Sequence, residues 1–411
     1  MKNKRICVIG AGPSGITALK NLLDEGLDAV AYDGNDQVGG NWIFSEDESH
    51  SSVFETTHII SSKTLSQYAD FEFDDFDPHI PDYPSHDQLR RYFQAYAQHF
   101  DLYPHLQLKT RVIHCERLGE ADWKVRLAQA GGKHWEEQFS HVVVCNGHHW
   151  HPRMPEYPGH FSGRFLHSHQ FKRAAPFANQ RVLVIGGGNS ACDVAVETSR
   201  VSARTELSWR RGYRIFPKFS MGLPSDVLGA KLAFLPFWLR NRLSDWMLQL
   251  MVGSNRLYGL PEPQKGFGAY HPTVNDELLH KIRHGKVHPR PDIARLDDQT
   301  VHFTDGSSSD FDAIIACTGF IISHPFFDSS FIDYRKGPVP LYRKMFHPEY
   351  HNLYFIGLFQ PLGCVWPLSE LQSKIMAREL AGKWQRPDNL AALLAKEQQN
   401  PHYRQIQTPR H

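Results

Sequence analysis

No stretch of this 411-residue chain runs to 18 uninterrupted apolar residues, so no membrane-spanning helix is expected and no transmembrane anchor. Net charge is missing too. The 45 Lys and Arg against 44 Asp and Glu leave +1, which argues against a nucleic-acid or anionic-membrane partner. The six cysteines, at 7, 115, 145, 192, 317 and 364, include no CxxC pair and no metal-ligand spacing. Their scatter excludes a disulfide framework and suits a reducing, cytoplasmic setting. Cys7, Cys145 and Cys317 lie in apolar runs, as small buried thiols do. The first residues enter a core strand almost at once, so a cleaved signal peptide is not expected. What is present is ordinary for a globular protein, with 41% hydrophobic and 22% charged residues. The length exceeds one core, which makes two domains the default. The 25 histidines make the charge sensitive to pH below about 7.

The stretch Arg5 to Asp33 organises the rest. Arg5-Ile6-Cys7-Val8-Ile9 reads as a strand buried on both faces, followed by Gly10-Ala11-Gly12-Pro13-Ser14-Gly15, a GxGxxG. A helical pattern with Ile16, Leu19, Leu22 and Leu23 follows. Gly26 stops it, and Ala29–Tyr32 reads as a second strand ending at Asp33. Gly10 allows the tight turn, Gly12 lets a pyrophosphate approach the backbone, and Gly15 lets the helix close on the strand. Pro13 and Ser14 open the helix, whose N-terminus presents free N–H groups to phosphate. Asp33, 23 residues after Gly10, is placed to accept from ribose hydroxyls. Gly39-Gly40-Asn41-Trp42 then delivers Gly40 and Trp42 close to the bound nucleotide.

Residues 51–84 look irregular, and Ser85 with Gln88 forms a capping box for a helix carrying Leu89, Tyr92, Phe93, Tyr96, Ala97 and Phe100 on one face. Leu106 to Leu127 reads as antiparallel strands, and Phe139 to Cys145 as one buried strand ending at Gly147. His148-His149-Trp150-His151 has no carboxylate or cysteine nearby to complete a metal site, and reads as a loop.

At Arg181 the opening unit repeats. Arg181–Ile185 is a buried strand, and Gly186-Gly187-Gly188-Asn189-Ser190-Ala191 is a GxGxxA leading into a helix. Glu206-Leu207-Ser208-Trp209 then leads to Arg210 and Arg211, read as standing where the first unit has its acid, 24 residues after Gly186. A carboxylate would repel a ribose 2′-phosphate, whereas an arginine fork matches its oxygens. The first site therefore suits FAD and the second NADPH. In 214–280, Leu239, Leu243, Trp246 and Leu250 with Met247 and Met251 make an apolar stripe that would cover core, line a channel, meet another subunit as a homodimer or touch a membrane surface, the first three being favoured. His271 to Asp276 opens a short helix. Thr300–Thr304 and Phe311–Gly319 are strands around a turn, and Leu353–Gly357 is a last buried strand, followed by a loop to Ser369 and a terminal helix.

Between the two glycine loops lies Phe161-x-Gly163-xxx-His167-xxx-Phe171. It resembles the FxGxxxHxxx(F/W) motif of class B flavoprotein monooxygenases, in the form of the flavin-containing monooxygenases. Gly188-Asn189-Ser190-Ala191-Cys192-Asp193 is similar to that family's GNSxxD, and Asn275-Asp276-Glu277-Leu278 to a segment of its eukaryotic members. Phe355 to Gly363, including Gln360, with Glu370-Leu371-Gln372, resembles its C-terminal flavin-contacting motif. The resemblance covers nearly the whole chain. It implies an α/β protein with two Rossmann-like dinucleotide-binding domains: a discontinuous FAD domain of 1–174 and 323–411, and an inserted NADPH domain of 175–322 with a helical insertion at about 214–280. It also implies an NADPH- and O2-dependent monooxygenase that oxygenates soft nucleophiles (amine nitrogen, sulfide sulfur, indole) through a C4a-hydroperoxyflavin.

One departure stands out. Aligning Lys63 and Tyr68-Ala69-Asp70-Phe71 with the family pattern puts Ile60 where many members carry an asparagine supporting the NADP–flavin arrangement. Isoleucine cannot hydrogen-bond; Ser61 and Ser62 are the adjacent hydroxyls that would substitute, and His58 is another candidate. Leakage of H2O2 is the expected consequence. Two other activities use this scaffold: Baeyer–Villiger oxygenation of small ketones, and a non-oxygenating NADPH oxidase or redox-sensing flavoprotein. The absence of a paired thiol argues strongly against a pyridine-nucleotide–disulfide reductase.

Overall fold

The computed structural model describes residues 5–47, 50–264, 272–333, 339–361 and 363–399. The expectations that fall on His271, Leu362 and residues 403–411 lie outside them. The chain divides into two compact units: one of residues up to Phe44, Lys63–His151 and from Ile321 onward, the other of Ser45–Ser62 and Pro152–Phe320.

The first unit is built on a five-stranded parallel sheet. Arg5–Ile9 is central, flanked by Asp28–Tyr32 and then Leu106–Gln107 on one side, and by His141–Val144 and then Leu353–Phe355 on the other. Cys7, Val8, Val142, Val143, Leu353 and Phe355 have no exposed surface, as strands covered on both faces require. The helix Pro13–Asp24 crosses between the first two strands. The capping box at Ser85 starts the helix His86–His99, with Gln88 N–H donating to Ser85 Oγ and Ser85 N–H to Gln88 Oε1. Its expected face is buried: Leu89, Tyr92, Phe93, Tyr96 and Ala97. A separate antiparallel sheet joins Thr110–Leu118, Asp122–Gln129 and His134–Phe139.

Four sequence expectations change. Leu106–Gln107 belongs to the parallel sheet, not to the antiparallel one, because it pairs with Ala31 and Tyr32. The run from Phe139 is broken at Ser140, whose N–H bonds to the carbonyl of Arg5 and turns the chain from one sheet into the other. The terminal helix begins at Val365, several residues earlier than Ser369, and a further helix covers Leu390–Gln399. Thr273–Val274 is a short strand beside Ile215–Phe216, and the helix starts only at Leu278.

The second unit repeats the architecture. Its five parallel strands are ordered Val287–Arg290, Arg204–Ser208, Arg181–Ile185, Ala313–Ala316 and Arg164–His167. The helix Asn189–Thr198 follows the central strand. This unit begins at Pro152, whereas the sequence reading began it at 175. Gly159–Phe161 and Arg164–His167 pair with Ile293–Asp298 and Ala313–Ala316, so the Phe161–Phe171 stretch is part of the unit and not a linker to it. Ser45–Ser62 joins it as well, through Glu55 N–H to the Lys172 carbonyl and Lys172 Nζ to the Ser51 carbonyl.

The apolar stripe of 214–280 does not cover core. In the helix Phe237–Val252, Trp246 and Leu250 are 60% and 66% exposed, and Leu239 and Met251 are exposed too. Asp245, not an apolar residue, ties the helix inward through Arg214 Nε at 2.9 Å. The apolar period fits the helix but does not say which of its sides faces inward.

The second sheet carries one charged group in its interior. Glu206, fully buried on Arg204–Ser208, receives Arg290 Nε at 2.6 Å and Arg204 Nε at 2.7 Å. Removing the carboxylate leaves two guanidinium groups facing each other without a counter-charge. Because both arginines keep partial exposure, Glu206→Ala is expected to lower unfolding free energy by about 2–4 kcal/mol, read as a shifted urea midpoint at unchanged slope.

Candidate functional site

In the first unit, the strand Arg5–Ile9 runs into Gly10 at φ +108°, where a Cβ would come 2.7 Å from the carbonyl oxygen of Cys145. A Cβ at Gly15 would overlap the carbonyl of Gly10, so the helix can close on the turn only with glycine there. Gly12 and Gly40 pass with backbones nearly touching: a Cβ on Gly40, itself at φ +55°, would lie 2.9 Å from Gly12 Cα. The N-cap is Gly12, with no side-chain acceptor for the first free N–H groups of the helix. That leaves a bare, positively polarised helix end, the chemistry a pyrophosphate requires.

Distant residues hold this loop in place. Tyr68, fully buried, donates its hydroxyl to the Pro13 carbonyl at 2.6 Å, and burial pushes its phenol pKa well up. Ser14 Oγ lies 2.9 Å from Ser369 Oγ. Gly357, at φ +79°, packs so closely that a Cβ would overlap Ser14 Oγ, and its N–H donates to Gln372 Oε1 at 3.0 Å. Glu370 Oε2 accepts the Ala69 N–H at 2.8 Å. The segments around Tyr68 and Gly357 thus converge on the loop. Nothing local in the sequence pairs Tyr68 with Pro13.

Asp33 is already engaged. Its Oδ2 accepts the Ala11 N–H at 2.6 Å and its Oδ1 the Asn35 N–H at 2.8 Å; burial raises its pKa against these bonds. It braces the loop, and each carboxylate oxygen has a second lone pair as an acceptor. Trp42 is partly exposed, edge-on to Trp366 at 5.7 Å, and Gln360 is partly exposed.

In the second unit, Gly186 at φ +133° makes the same turn, a Cβ there meeting the Cys317 carbonyl oxygen at 2.5 Å. Gly188 faces open space and caps its helix without a side-chain bond, and Ser190 is exposed beside it. Asn189 is engaged on both sides of its amide: Nδ2 donates to the Pro272 carbonyl at 3.1 Å, and Oδ1 accepts the Val274 N–H at 2.7 Å. Asp193 accepts Asn275 Nδ2 at 2.7 Å, while Asn275 Oδ1 accepts the N–H groups of Glu277 and Leu278. The GNSxxD pattern therefore works here as a latch on residues 272–278.

The register of the two sheets corrects one sequence reading. Gly10 N–H donates to Tyr32 O, and Gly186 N–H to Ser208 O. Asp33 N–H donates to Gln107 O, and Trp209 N–H to Arg290 O. Trp209, 23 residues after Gly186, is thus the counterpart of Asp33. Arg210 and Arg211 stand one and two places beyond, opposite Gly34 and Asn35. An equal count of 23 residues from the first glycine marks Asp33 and Trp209 alike, whereas the positive charge lies one residue further on. Both arginines are exposed, with no ion pair or hydrogen bond among the described residues.

The motif Phe161–Phe171 has structural work within its unit. Phe161 packs against Gly163, and Phe171 sits in the core with Phe54 and Phe177. His167 is buried; its Nδ1 accepts the His169 N–H at 3.1 Å, and burial brings its pKa down to about 4. Ser61 and Ser62 are buried in the second unit, and Ser62 N–H donates to Asp226 Oδ2 at 2.6 Å. Ile60 keeps partial exposure.

A family model described as flavin-binding monooxygenase-like matches residues 3–408. The chain belongs to that family. It is 35% identical to flavin-containing monooxygenase 5 of Oryctolagus cuniculus over 91% of this chain and 73% of that one. To dimethylaniline monooxygenase [N-oxide-forming] 2 of Cavia porcellus it is 33% identical over 92% and 74%. Among solved structures, S-allyl-L-cysteine S-oxygenase from Allium sativum shares the fold at TM-score 0.72, with 21% identity over 98% of this chain and 84% of that one. This chain is accordingly a flavin-binding monooxygenase, an oxidoreductase. Among the described residues no group of His, Cys, Asp or Glu could hold a metal ion, no helix is long and apolar enough to cross a membrane, and no two cysteines form a disulfide.

The Asp193 latch has a pH signature. Burial raises its pKa to about 6, against about 3.9 for an unfolded aspartate. Between those values the folded state binds the extra proton, so this group favours folding below about pH 4 and stops doing so as pH rises through 6. Asp193→Asn keeps the acceptor for Asn275 without the charge. With one edge of the side chain in solvent, the variant should gain about 1–2 kcal/mol over the parent at pH 7 and little at pH 4, by urea unfolding at the two values.

Proposed function

We propose that the Gly10–Gly15 cradle holds FAD, with Asp33, Gly40, Trp42 and Gln360 around it. The Gly186–Ser190 cradle holds NADPH, with Arg210 and Arg211 on its 2′-phosphate. The enzyme then transfers one oxygen atom of O2 to a soft nucleophile: an amine nitrogen, a sulfide sulfur or an indole ring. The observation carrying this reading is the pair of like-built cradles, one ending in a carboxylate and the other leading into two unpaired guanidinium groups.

Open backbone supports each assignment. The Gly12–Gly40 approach leaves a strip of backbone with no side chain in the way, and Gly188 is open toward the free end of its helix. Bound FAD supplies hydride acceptance and oxygen activation, which no side chain can. The protein contributes the rest. The glycine loops orient the pyrophosphates, Asp33 braces the first loop, and Asn189 and Asp193 fix the second. Arg210 and Arg211 present donors that match phosphate oxygens.

Ser61 and Ser62 are read as the hydroxyls standing in for the asparagine that Ile60 replaces, held in position by Asp226 through the Ser62 N–H. Oxygen activated without that asparagine is expected to escape in part as H2O2. The relatives named for N-oxide formation favour amines, and the scattered thiols favour the cytoplasm as compartment.

Oxygen uptake with NADPH and NADH across amine, sulfide, indole and ketone substrates tests the reading. Oxygenated amine or sulfide supports it, oxygenated ketone alone would replace it with a Baeyer–Villiger activity, and NADPH oxidation giving only H2O2 would replace it with an oxidase. Arg210→Ala should raise the KM for NADPH at least tenfold and leave that for NADH nearly unchanged; equal effects would refute its role. Gly15→Ala should purify without flavin colour, because the added methyl would force the helix off the turn. Ile60→Asn is expected to lower the ratio of H2O2 to NADPH consumed, measured by peroxidase-coupled assay.

A further inference from the structure

Three consecutive positions differ between the two cradles in one direction. Where the first unit has Asp33-Gly34-Asn35, the second has Trp209-Arg210-Arg211 in the same backbone register. One negative charge gives way to two positive ones. The first of the three is the least expected, since an indole stands in the place of a carboxylate that braces its own loop.

The indole makes that exchange consequential. Trp209 is 1% exposed, packed in the core of the second unit and stacked on Tyr213 at 5.9 Å between ring centres. Its Nε1 is buried and has no hydrogen-bond partner among the described residues. It lies against Gly187, the counterpart of Ala11, so closely that a Cβ at Gly187 would overlap it. Asp33 Oδ2 takes the N–H of Ala11; Trp209 has no acceptor to offer the N–H of Gly187 or a ribose hydroxyl. The position has changed from acceptor to donor, beside a loop whose ligand is an anion.

We infer that Trp209 is a specificity-determining residue of the second cradle, making it select a phosphorylated ribose over a plain one. This rests on the reading that NADPH occupies that cradle. With no carboxylate at the ribose, the 2′-phosphate meets no repulsion and the two arginines act on it unopposed. With no acceptor there, the 2′- and 3′-hydroxyls of NADH lose the partner that Asp33 offers in the first cradle. Gly187 is the matching adjustment, since the ring occupies the space a side chain would need. The arginines contribute affinity for the phosphate; Trp209 contributes rejection of the bare sugar.

The test is calorimetric titration of the FAD-loaded enzyme with NADP+ and NAD+, and with 2′,5′-ADP as a fragment. Trp209→Asp restores a carboxylate and should lower the NADP+ to NAD+ affinity ratio at least tenfold, with NAD+ binding more tightly than to the parent. Arg210→Ala combined with Arg211→Ala should weaken NADP+ and 2′,5′-ADP without any gain for NAD+. If Trp209→Asp fails to fold, Trp209→Gln, which supplies an acceptor without a buried charge, should lower the ratio in the same direction. A parent that binds neither NADP+ nor 2′,5′-ADP, or a double-arginine variant that binds both as the parent does, would overturn the assignment of the cradle itself. A selective parent whose double-arginine variant loses NADP+, while Trp209→Asp and Trp209→Gln keep the parental ratio, would overturn the role of Trp209 alone.

Discussion

A single backbone hydrogen bond, made twice, governs what each nucleotide loop can recognise. The N–H of the first glycine donates to the carbonyl at the end of the neighbouring strand: Gly10 to Tyr32 at 2.8 Å, Gly186 to Ser208 at 3.0 Å. It ties the turn to the second strand and so settles which residue leaves that strand beside the loop. In one unit that residue is Asp33; in the other it is Trp209. Which side chains flank each loop is downstream of this register, because a shift of one place would bring a different residue to the end of the strand.

The loops themselves are nearly bare backbone, and backbone without side chains is conformationally loose. Each is stiffened from outside. In the first unit the Tyr68 hydroxyl, Ser369 and the close approach of Gly40 do this; in the second, residues 272–278 do it through Asn189 and Asp193. Several residues resembling family cofactor-site motifs are therefore engaged with protein groups rather than turned toward a ligand. What they do is hold the glycine loops and the bare helix ends in place.

Local pattern made much of the architecture readable. β-branched runs marked the buried strands, the Ser85–Gln88 box marked a helix start, and the repeat at Arg181 announced a second unit. Readings failed where a partner remote in sequence chose between equals. Leu106–Gln107 could have paired in either sheet, and its contact with Ala31 and Tyr32 chose. The stripe of Phe237–Val252 has a helical period, yet Asp245 faces inward on Arg214 while Trp246 and Leu250 face out. Segment Ser45–Ser62 belongs with a unit that otherwise begins some ninety residues later, through bonds to Lys172 that spacing cannot reveal.

By itself the sequence determined that there are two glycine-rich nucleotide loops, where they begin, and that their flanking charges differ, because turn geometry and strand burial demand particular residues at particular intervals. Tertiary structure decided what those residues face. It set Trp209 in the acid's place, bound Asn189 and Asp193 into a latch, and turned the apolar helix face outward. Those outcomes depend on hydrogen bonds and packing between segments far apart in the chain, and periodicity and spacing describe only neighbours.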